Sequence, residues 1–475
     1  MRNTLLTLLL AIFCFSLTAN NINVTPPTFT NGSDAEGYGY VTFDLSWENS
    51  WRLSSGASNW DAAWVFVKYR VSGGAWLPAN LHNTGHIAGT GTAADITVGL
   101  VDDNAAFNAT SNPGIGAFVY RSSAGTGTFT STGLKLRWDY GADGIASGTN
   151  VEVTVFAIEM VRVLEGAFNV GGGNTANGAF TSTTISTGVA TAAGGFPTGQ
   201  TAPANASWPN GYNAFYCMKY EVTQQQYVDF LNTLNQTQAT ERKYTLDPLA
   251  NRYAITGTAV GMYATTNPYV ACNYLSWADG AAYADWSGLR PMTELEFEKA
   301  CRGPQAAVVG EYAWGTATFA SSAYTLSNAG ASNEGIATNY STTVGNAMYG
   351  YTIVSANVGP LRVGIFAANG SNSGRLSAGA SYWGIMELSG NLWERPVTIA
   401  NATGRAFTGT HGDGVLTSSG NANAATWPGT DAVGAGWRGS SWVSTASLMQ
   451  VSDRDIAGGS DSNRYDFVGF RAVRR

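Results

Sequence analysis

Histidine and cysteine, which often carry catalysis or bind transition metals, are scarce in this chain. His82 and His86 have the one-turn spacing of a helical metal pair, but Gly85 lies between them, and Ala88 stands where a carboxylate ligand would be needed. His411 is the remaining histidine. No Gly-x-Ser-x-Gly nucleophile elbow follows a predicted strand. We therefore expect neither an iron site nor serine-hydrolase chemistry.

The cysteines give no clear sign of catalysis either. Cys14 lies in an N-terminal apolar segment, and Cys217, Cys272 and Cys301 follow much later. An odd number in the mature chain permits at most one internal disulfide, whose pairing the sequence leaves open. Single cysteines most often pack as small hydrophobic side chains, so we assign these three no catalytic role.

The N-terminus has the pattern of a secretory signal peptide over residues 1–20. Arg2 is followed by an apolar run from Leu5 to Phe15 and then by small residues. A lipoprotein anchor at Cys14 is a weaker alternative, because a bulky residue precedes it. The run is shorter than the roughly 20 residues that span a bilayer, and no later stretch is long enough. We expect a secreted, periplasmic or outer-surface protein without a transmembrane segment.

The composition excludes some partners. Charged residues make up 12% of the chain and the net charge is −7, against a usual charged fraction of about 25%. Binding to nucleic acid or anionic lipid requires a clustered basic patch, which the sequence lacks, so we exclude both. Low charge with abundant Gly, Ser, Thr and Asn is typical of extracellular β-rich proteins. It leaves self-assembly into an extracellular structure as an open alternative.

The elements that position any site fall into two predicted domains, since 475 residues exceed the size of about 250–300 at which single cores stop growing. Residues 21–159 alternate short apolar segments with turn clusters, which predicts a helix-free β-sandwich. The segment from Trp64 to Tyr69 is apolar on both faces. A core-and-rim role is favoured over a glycan-stacking platform for the nearby tryptophans, which are Trp47, Trp51, Trp60, Trp64 and Trp76.

Residues 160–475 form the second predicted domain. Residues 171–210 are a Gly-, Ser- and Thr-rich loop or insertion. Three helices then have capping pairs at their starts, namely Thr223 with Gln226, Ser276 with Asp279, and Thr293 with Glu296. Beyond residue 305 we expect loops and short strands.

Several ordered blocks carry a family resemblance. They include Asn273-Tyr274-Leu275-Ser276-Trp277-Ala278-Asp279, Gly384-Ile385-Met386-Glu387-Leu388-Ser389-Gly390-Asn391-Leu392-Trp393-Glu394, Trp437-Arg438-Gly439-Ser440-Ser441-Trp442 and Gly469-Phe470-Arg471. These blocks resemble the sulfatase-modifying factor, or formylglycine-generating enzyme, domain. The resemblance implies an α+β chain in which a C-type-lectin-like formylglycine-generating-enzyme fold is preceded by the all-β sandwich.

The family's enzymes bind Cu(I) through two cysteines that follow the block beginning at Arg438. Counting forward from that arginine places Ser444 and Met449 at the two positions. A serine hydroxyl is a hard, protonated ligand, whereas Cu(I) prefers soft thiolates or thioethers. We therefore expect no copper and no catalytic residue, and we interpret the chain as a pseudoenzyme.

The resemblance also implies structural Ca²⁺, which prefers oxygen ligands. One site would use Asn391, the Leu392 carbonyl and Glu394, and a second would use Asn328 and the Ala329 carbonyl. The alternative is that Asn391 caps a turn and Glu394 pairs with an arginine. Where the family usually has a second tryptophan, this chain has Arg395-Pro396, and this difference keeps that alternative open.

Without catalysis, the family's substrate groove becomes a candidate binding surface lined by Arg438, Trp442, Arg454, Tyr465 and Phe467. We expect a secreted or cell-surface, non-catalytic recognition or adhesion protein whose ligand is an extracellular protein, peptide or glycan. The alternatives are a formylglycine-generating-type oxidase acting on protein cysteine, and a structural subunit of an extracellular assembly.

Overall fold

The computed structural model describes residues 21–172, 176–245, 250–353 and 358–475, in which strands predominate and helices are few. The predicted signal peptide, residues 1–20, lies outside these ranges. No helix in the described ranges is both long and apolar enough to cross a membrane.

The strands are β1 (Asn23–Val24), β2 (Thr28–Ser33), β3 (Tyr38–Arg52), β4 (Asp61–Val71), β5 (Leu77–Pro78), β6 (Thr90–Gly91), β7 (Ala94–Leu100), β8 (Gly114–Arg121), β9 (Gly125–Trp138), β10 (Val151–Val163), β11 (Phe168–Val170), β12 (Thr183–Ile185), β13 (Phe215–Met218), β14 (Ile255–Thr256), β15 (Ala264–Thr265), β16 (Arg290–Pro291), β17 (Thr325–Ser327), β18 (Gly335–Thr338) and β19 (Ala472–Arg474). The α-helices are α1 (Gln224–Asn232), α2 (Gln236–Arg242), α3 (Trp277–Trp286), α4 (Glu294–Arg302) and α5 (Ala402–Arg405). Single 3₁₀ turns occur at Ala250–Arg252 and Ala446–Met449.

Two large antiparallel sheets organise the fold. The first has the order β1-β3-β9-β6, with β2 beside β3. The second has the order β16-β19-β13-β10-β4-β8-β7, with β5 beside β4. Strand β10 pairs with β4 along one edge and with β13 along the other. This central sheet is therefore continuous across residue 160, where the predicted domain boundary lies.

One face of the central sheet packs against the first sheet. Alternate residues of β4, such as Val65 and Val67, meet Phe43 and Trp47 of β3 and Leu136 of β9 in one buried cluster. Such alternation is what a half-buried strand produces, because successive side chains point to opposite faces. The two sheets thus enclose a sandwich core.

The other face of the central sheet is buried as well. Trp64 and Phe66 of β4 share a second core with Phe230 of α1 and Trp286 of α3. The Trp64 indole nitrogen donates to the Ser287 carbonyl, 2.8 Å away. Burial on both faces is the physical reason why the residues from Trp64 to Val67 are apolar at successive positions.

The three predicted helix starts are confirmed. Thr223, Ser276 and Thr293 each accept a hydrogen bond from the backbone of their predicted partner, and each pair forms a complete capping box. Helix α2, which has an equivalent pair in Asn235 and Gln238, was not predicted from the sequence. The short α5 was not predicted either. Residues 21–159 contain no helix, as predicted, while β12 lies inside the predicted loop of residues 171–210.

A buried ion-pair cluster lies where the sandwich meets the C-terminal half. The Lys219 ammonium lies 2.9 Å from a Glu159 oxygen and 3.7 Å from an Asp61 oxygen, and all three side chains are almost fully buried. The Asp61 carboxylate also accepts hydrogen bonds from Trp47 and Ser50 of β3. The cluster therefore connects the first sheet, the central sheet and the segment after β13.

Replacing Lys219 with Met keeps an unbranched side chain but leaves two buried carboxylates without their cation. We expect the free energy of unfolding to fall by about 3–5 kcal/mol, as for other broken buried pairs, when measured by urea denaturation. The matched control is Arg70→Met, which breaks the exposed pair with Glu152 and should change stability little. Equal effects of the two substitutions would contradict the assigned role of Lys219.

Candidate functional site

One side of α4 carries a row of buried charges. Glu294, Glu298 and Arg302 are spaced one helical turn apart, and all are nearly inaccessible to solvent. The Arg438 guanidinium donates to Glu294 and Glu298, both at 3.0 Å, and is itself 0% exposed. Arg438, predicted to contact ligand, therefore does not reach the surface, because two carboxylates bind it inside the core.

Arg454 joins the same network from the polar loop. Its guanidinium donates to both oxygens of Glu294, at 2.6 and 3.1 Å, and lies 3.9 Å over the ring of Phe180. Burial alone would raise the pKa of Glu294, but Arg454 and Arg438 outweigh it and hold that pKa below its usual value. Arg454, whose side chain is 7% exposed, thus orders the loop and has little surface left for a ligand.

The two positions at which the family's cysteines were expected are structurally different. The Ser444 hydroxyl lies 3.0 Å from that of Ser441 and accepts from the Trp393 indole nitrogen at 3.2 Å. Met449 is fully buried in a cluster with Tyr312 and Trp314. One side chain therefore belongs to a hydroxyl–indole network, and the other fills a hydrophobic core.

Aromatic side chains surround Ser444 and continue to the C-terminal loop. We call this set the aromatic surface; its members are Tyr351, Trp393, Trp437, Trp442, Tyr465 and Phe467. Tyr351 is 58% exposed and contacts Trp442 edge to face. Tyr465 and Phe467 stack on each other at 5.0 Å, and both contact the Trp437 ring.

The tryptophans form the base of the aromatic surface, and three other rings are accessible. Trp442 is buried and donates to the Asp466 carbonyl at 3.0 Å. Tyr351, Tyr465 and Phe467 retain solvent exposure. Of the five ligand-binding residues predicted from the sequence, the structure thus brings Tyr465 and Phe467 together at the surface and places Trp442 beneath it.

The match to known families decides the identity of this region. The model of the sulfatase-modifying factor enzyme 1-like domain matches residues 153–475, which begin inside β10. The chain belongs to the sulfatase-modifying factor family. A search of curated proteins found no similar protein.

The donor set at the copper positions does not fit the Cu(I) site of sulfatase-modifying factor enzymes. That site needs two soft thiolates side by side. Ser444 offers a hard hydroxyl that is already hydrogen-bonded, and the Met449 thioether lies in a closed core. Cys217, Cys272 and Cys301 are free and buried elsewhere, so no step of the proposed function involves copper.

The first calcium segment of the sulfatase-modifying factor fold is closed by protein contacts. The Asn391 side-chain oxygen accepts from the Leu361 amide at 2.8 Å, and its amide donates to Glu221. Arg471 donates to one Glu394 oxygen at 2.7 Å. The second Glu394 oxygen is buried and lacks a hydrogen-bond partner among the described residues. These contacts favour the turn and ion-pair interpretation.

At the second segment, Asn328 and Ala329 lie in a tight turn in which the Asn328 carbonyl accepts from the Ala331 amide. The neighbouring carboxylate, Glu334, pairs with Arg252. In the described part of the chain, no group of three or more His, Cys, Asp or Glu residues is placed to hold a metal ion. Structural Ca²⁺, which needs about six to eight oxygens, stays a prediction here.

The histidines lie apart from the aromatic surface. His82 contacts Thr84, and a ring nitrogen of His86 lies 2.7 Å from the His82 carbonyl. Burial and the nearby Arg474 lower the pKa of His411 to about 3, so that this imidazole is neutral beside Asp103 at physiological pH.

Some residues of the aromatic surface were not predicted from the sequence. Tyr351 has a positive φ of 59° and lies in a polar loop without periodicity, so no local pattern marked it. Trp393 and Trp437 lie inside the family blocks, and their positions there could have marked them as part of the site. Arg395 stands where the family usually has a second tryptophan. Its guanidinium lies 5.4 Å from the centre of the Trp437 ring and donates to the Asp461 carbonyl.

The free cysteines provide a test of the site. Burial raises the pKa of the Cys217, Cys272 and Cys301 thiols, so few thiolates form at neutral pH. We expect iodoacetamide to label none of the three in the native protein and all three in denaturant, as mapped by peptide mass spectrometry. Rapid native labelling of any one would show a reactive thiol and reopen cysteine chemistry.

Calcium can be tested by melting the protein with and without a chelator. An ion that binds only the folded state raises the melting temperature, so its removal lowers that temperature. Since Arg471 already neutralises Glu394, we expect the shift to be small. A large fall in the melting temperature would establish the calcium site and contradict the ion-pair interpretation.

Proposed function

We propose that this protein is a non-catalytic recognition protein, exported from the cell, that uses a sulfatase-modifying factor domain to bind an extracellular protein, peptide or glycan. The observation that carries the proposal is the pair Ser444 and Met449. The first is a hydrogen-bonded hydroxyl and the second is a core side chain. Neither reproduces the reactive thiol pair of the family's enzymes.

The aromatic surface supports binding in place of catalysis. Recognition surfaces combine partly exposed aromatic rings with a rigid, well-packed base. Tyr465 and Phe467 rest on Trp437, and Tyr351 rests on Trp442, whose own hydrogen bond to Asp466 fixes it. Rings with few rotatable bonds lose little conformational entropy when a ligand covers them.

Buried charges anchor chain segments next to the aromatic surface, since Arg438 directly follows Trp437 in the sequence. Glu294 forms ion pairs with both Arg438 and Arg454, which lie in the two loops that flank residue 449. A surface ordered in advance lowers the conformational cost of binding. We therefore assign the two arginines a positioning role.

Incubation with a cysteine-containing sulfatase-motif peptide, oxygen and Cu(I) separates recognition from catalysis. We expect no aldehyde product by mass spectrometry, because two thiolates are missing. A known formylglycine-generating enzyme in the same buffer serves as the positive control. Multiple turnovers by the purified protein would refute the non-catalytic function.

The binding surface can be tested by Tyr351→Ala and Tyr465→Ala, with a glycan array and a phage-displayed peptide library as probes. For each ligand that the wild type enriches, we expect about tenfold weaker binding, since a buried anchor contributes more than about 1 kcal/mol. Met262→Ala is the matched control, because Met262 is 68% exposed and lies outside the aromatic surface. Retained binding in both tyrosine variants would place the ligand elsewhere.

A further inference from the structure

A second concave surface lies at the side of the central sheet, away from the residues of the aromatic surface. We call it the junction groove. It has a volume of about 310 Å³, within the usual range of small-ligand sites. Most of its wall residues come from β7, β8, β10 and β13. Trp60, which precedes β4, and Arg475, which follows β19, are also part of the wall. The wall residues include Trp60, Thr97, Tyr120, Arg162, Tyr216 and Arg475.

Stacked rings form one wall of the junction groove. Trp60 stacks on Tyr120 at 5.7 Å, and its indole nitrogen donates to the Tyr216 hydroxyl at 3.0 Å. Tyr216 in turn stacks on Phe118 at 3.8 Å. Because each ring is fixed by another, the wall is rigid, while Trp60 and Tyr120 remain partly exposed.

Two arginines in the junction groove lack a carboxylate partner in the described part of the chain. Arg162 lies 4.7 Å over the Tyr216 ring, and its buried Nε has no hydrogen-bond partner there. Arg475 is exposed, and among the described residues its side chain donates to the Asn104 amide oxygen. By contrast, Arg52 has Asp95 at 3.6 Å, and Arg474 has Asp103 at 3.3 Å.

We propose that the junction groove binds an anionic saccharide. Partly exposed aromatic rings pack against the C–H faces of sugars, and a stacked arginine with free donors binds a carboxylate or sulfate through paired hydrogen bonds. The exposed Thr97 hydroxyl, 2.9 Å from that of Tyr120, offers a further partner for a sugar hydroxyl. Unpaired positive charge in a protein of net charge −7 marks this groove as the place for an anion.

Both halves of the chain are needed to form the junction groove. Trp60 and Tyr120 belong to the N-terminal sandwich, whereas Tyr216 and Arg475 belong to the family domain. Arg162 lies on β10, opposite Tyr216 in the strand register. The site therefore exists only because the central sheet is continuous.

Isothermal titration of the full mature chain tests the proposal with three probes, which are tri-galacturonate, its neutral methyl ester and a sulfated disaccharide. We expect at least one of the two anionic probes to bind, the neutral ester to bind at least about tenfold more weakly, and added salt to weaken binding. The choice between the two anionic probes distinguishes carboxylate from sulfate recognition.

Arg162→Gln should weaken binding of the anionic probe by about tenfold, the loss expected for a charged hydrogen-bonded pair. The melting temperature should stay the same. Arg70→Gln is the matched control, because Arg70 also lies over a tryptophan, Trp76, but is neutralised by Glu152. No binding of either anionic probe would overturn the proposal. So would equal binding of the neutral ester, or equal losses in the two arginine variants.

Discussion

The row of charges on α4 is the interaction on which the C-terminal half depends. Between α4 and β19 the chain runs through a long region with few regular elements, so its backbone polar groups need partners other than sheets and helices. Arg302 donates to the backbone carbonyls of Asn169 and Gly171, while Glu298 accepts from the Gly171 amide. Arg438 and Arg454 attach two distant loops to the same helix. Removing one member of the network would leave a buried charge without its partner. Each of these charged side chains therefore depends on the others for its stability in the core.

The central sheet provides the second constraint. Its central strand β4 is covered on both faces, by the first sheet on one side and by α1 and α3 on the other. Strand β10 belongs to both halves, and the family match begins within it. The sandwich and the sulfatase-modifying factor domain therefore share a layer, and the junction groove is built on this shared layer.

The sequence predicted the parts of the fold that depend on local rules. Capping residues such as Ser276 and Thr293 marked helix starts because their hydrogen bonds span only three residues. The family blocks identified the domain, and counting from Arg438 located Ser444 and Met449. Arg454 was different. It was expected to contact ligand, yet it pairs with Glu294, which is distant in the sequence. No periodic pattern reveals which buried carboxylate an arginine will meet. The junction groove escaped prediction for the same reason, since Trp60, Arg162 and Arg475 meet only in three dimensions.

Strand β10 also has a mechanical consequence. Along one edge, β4 pairs with β10 from Val151 to Val161. Along the opposite edge, β13 pairs with its last residues, from Met160 to Val163. A pull along the axis of β10 would load these hydrogen bonds in shear, since they run perpendicular to the strands, so that many must break together before the strand slips. Peeling them one at a time would need less force. The shared strand thus lets tension along its axis pass between the two halves of the chain.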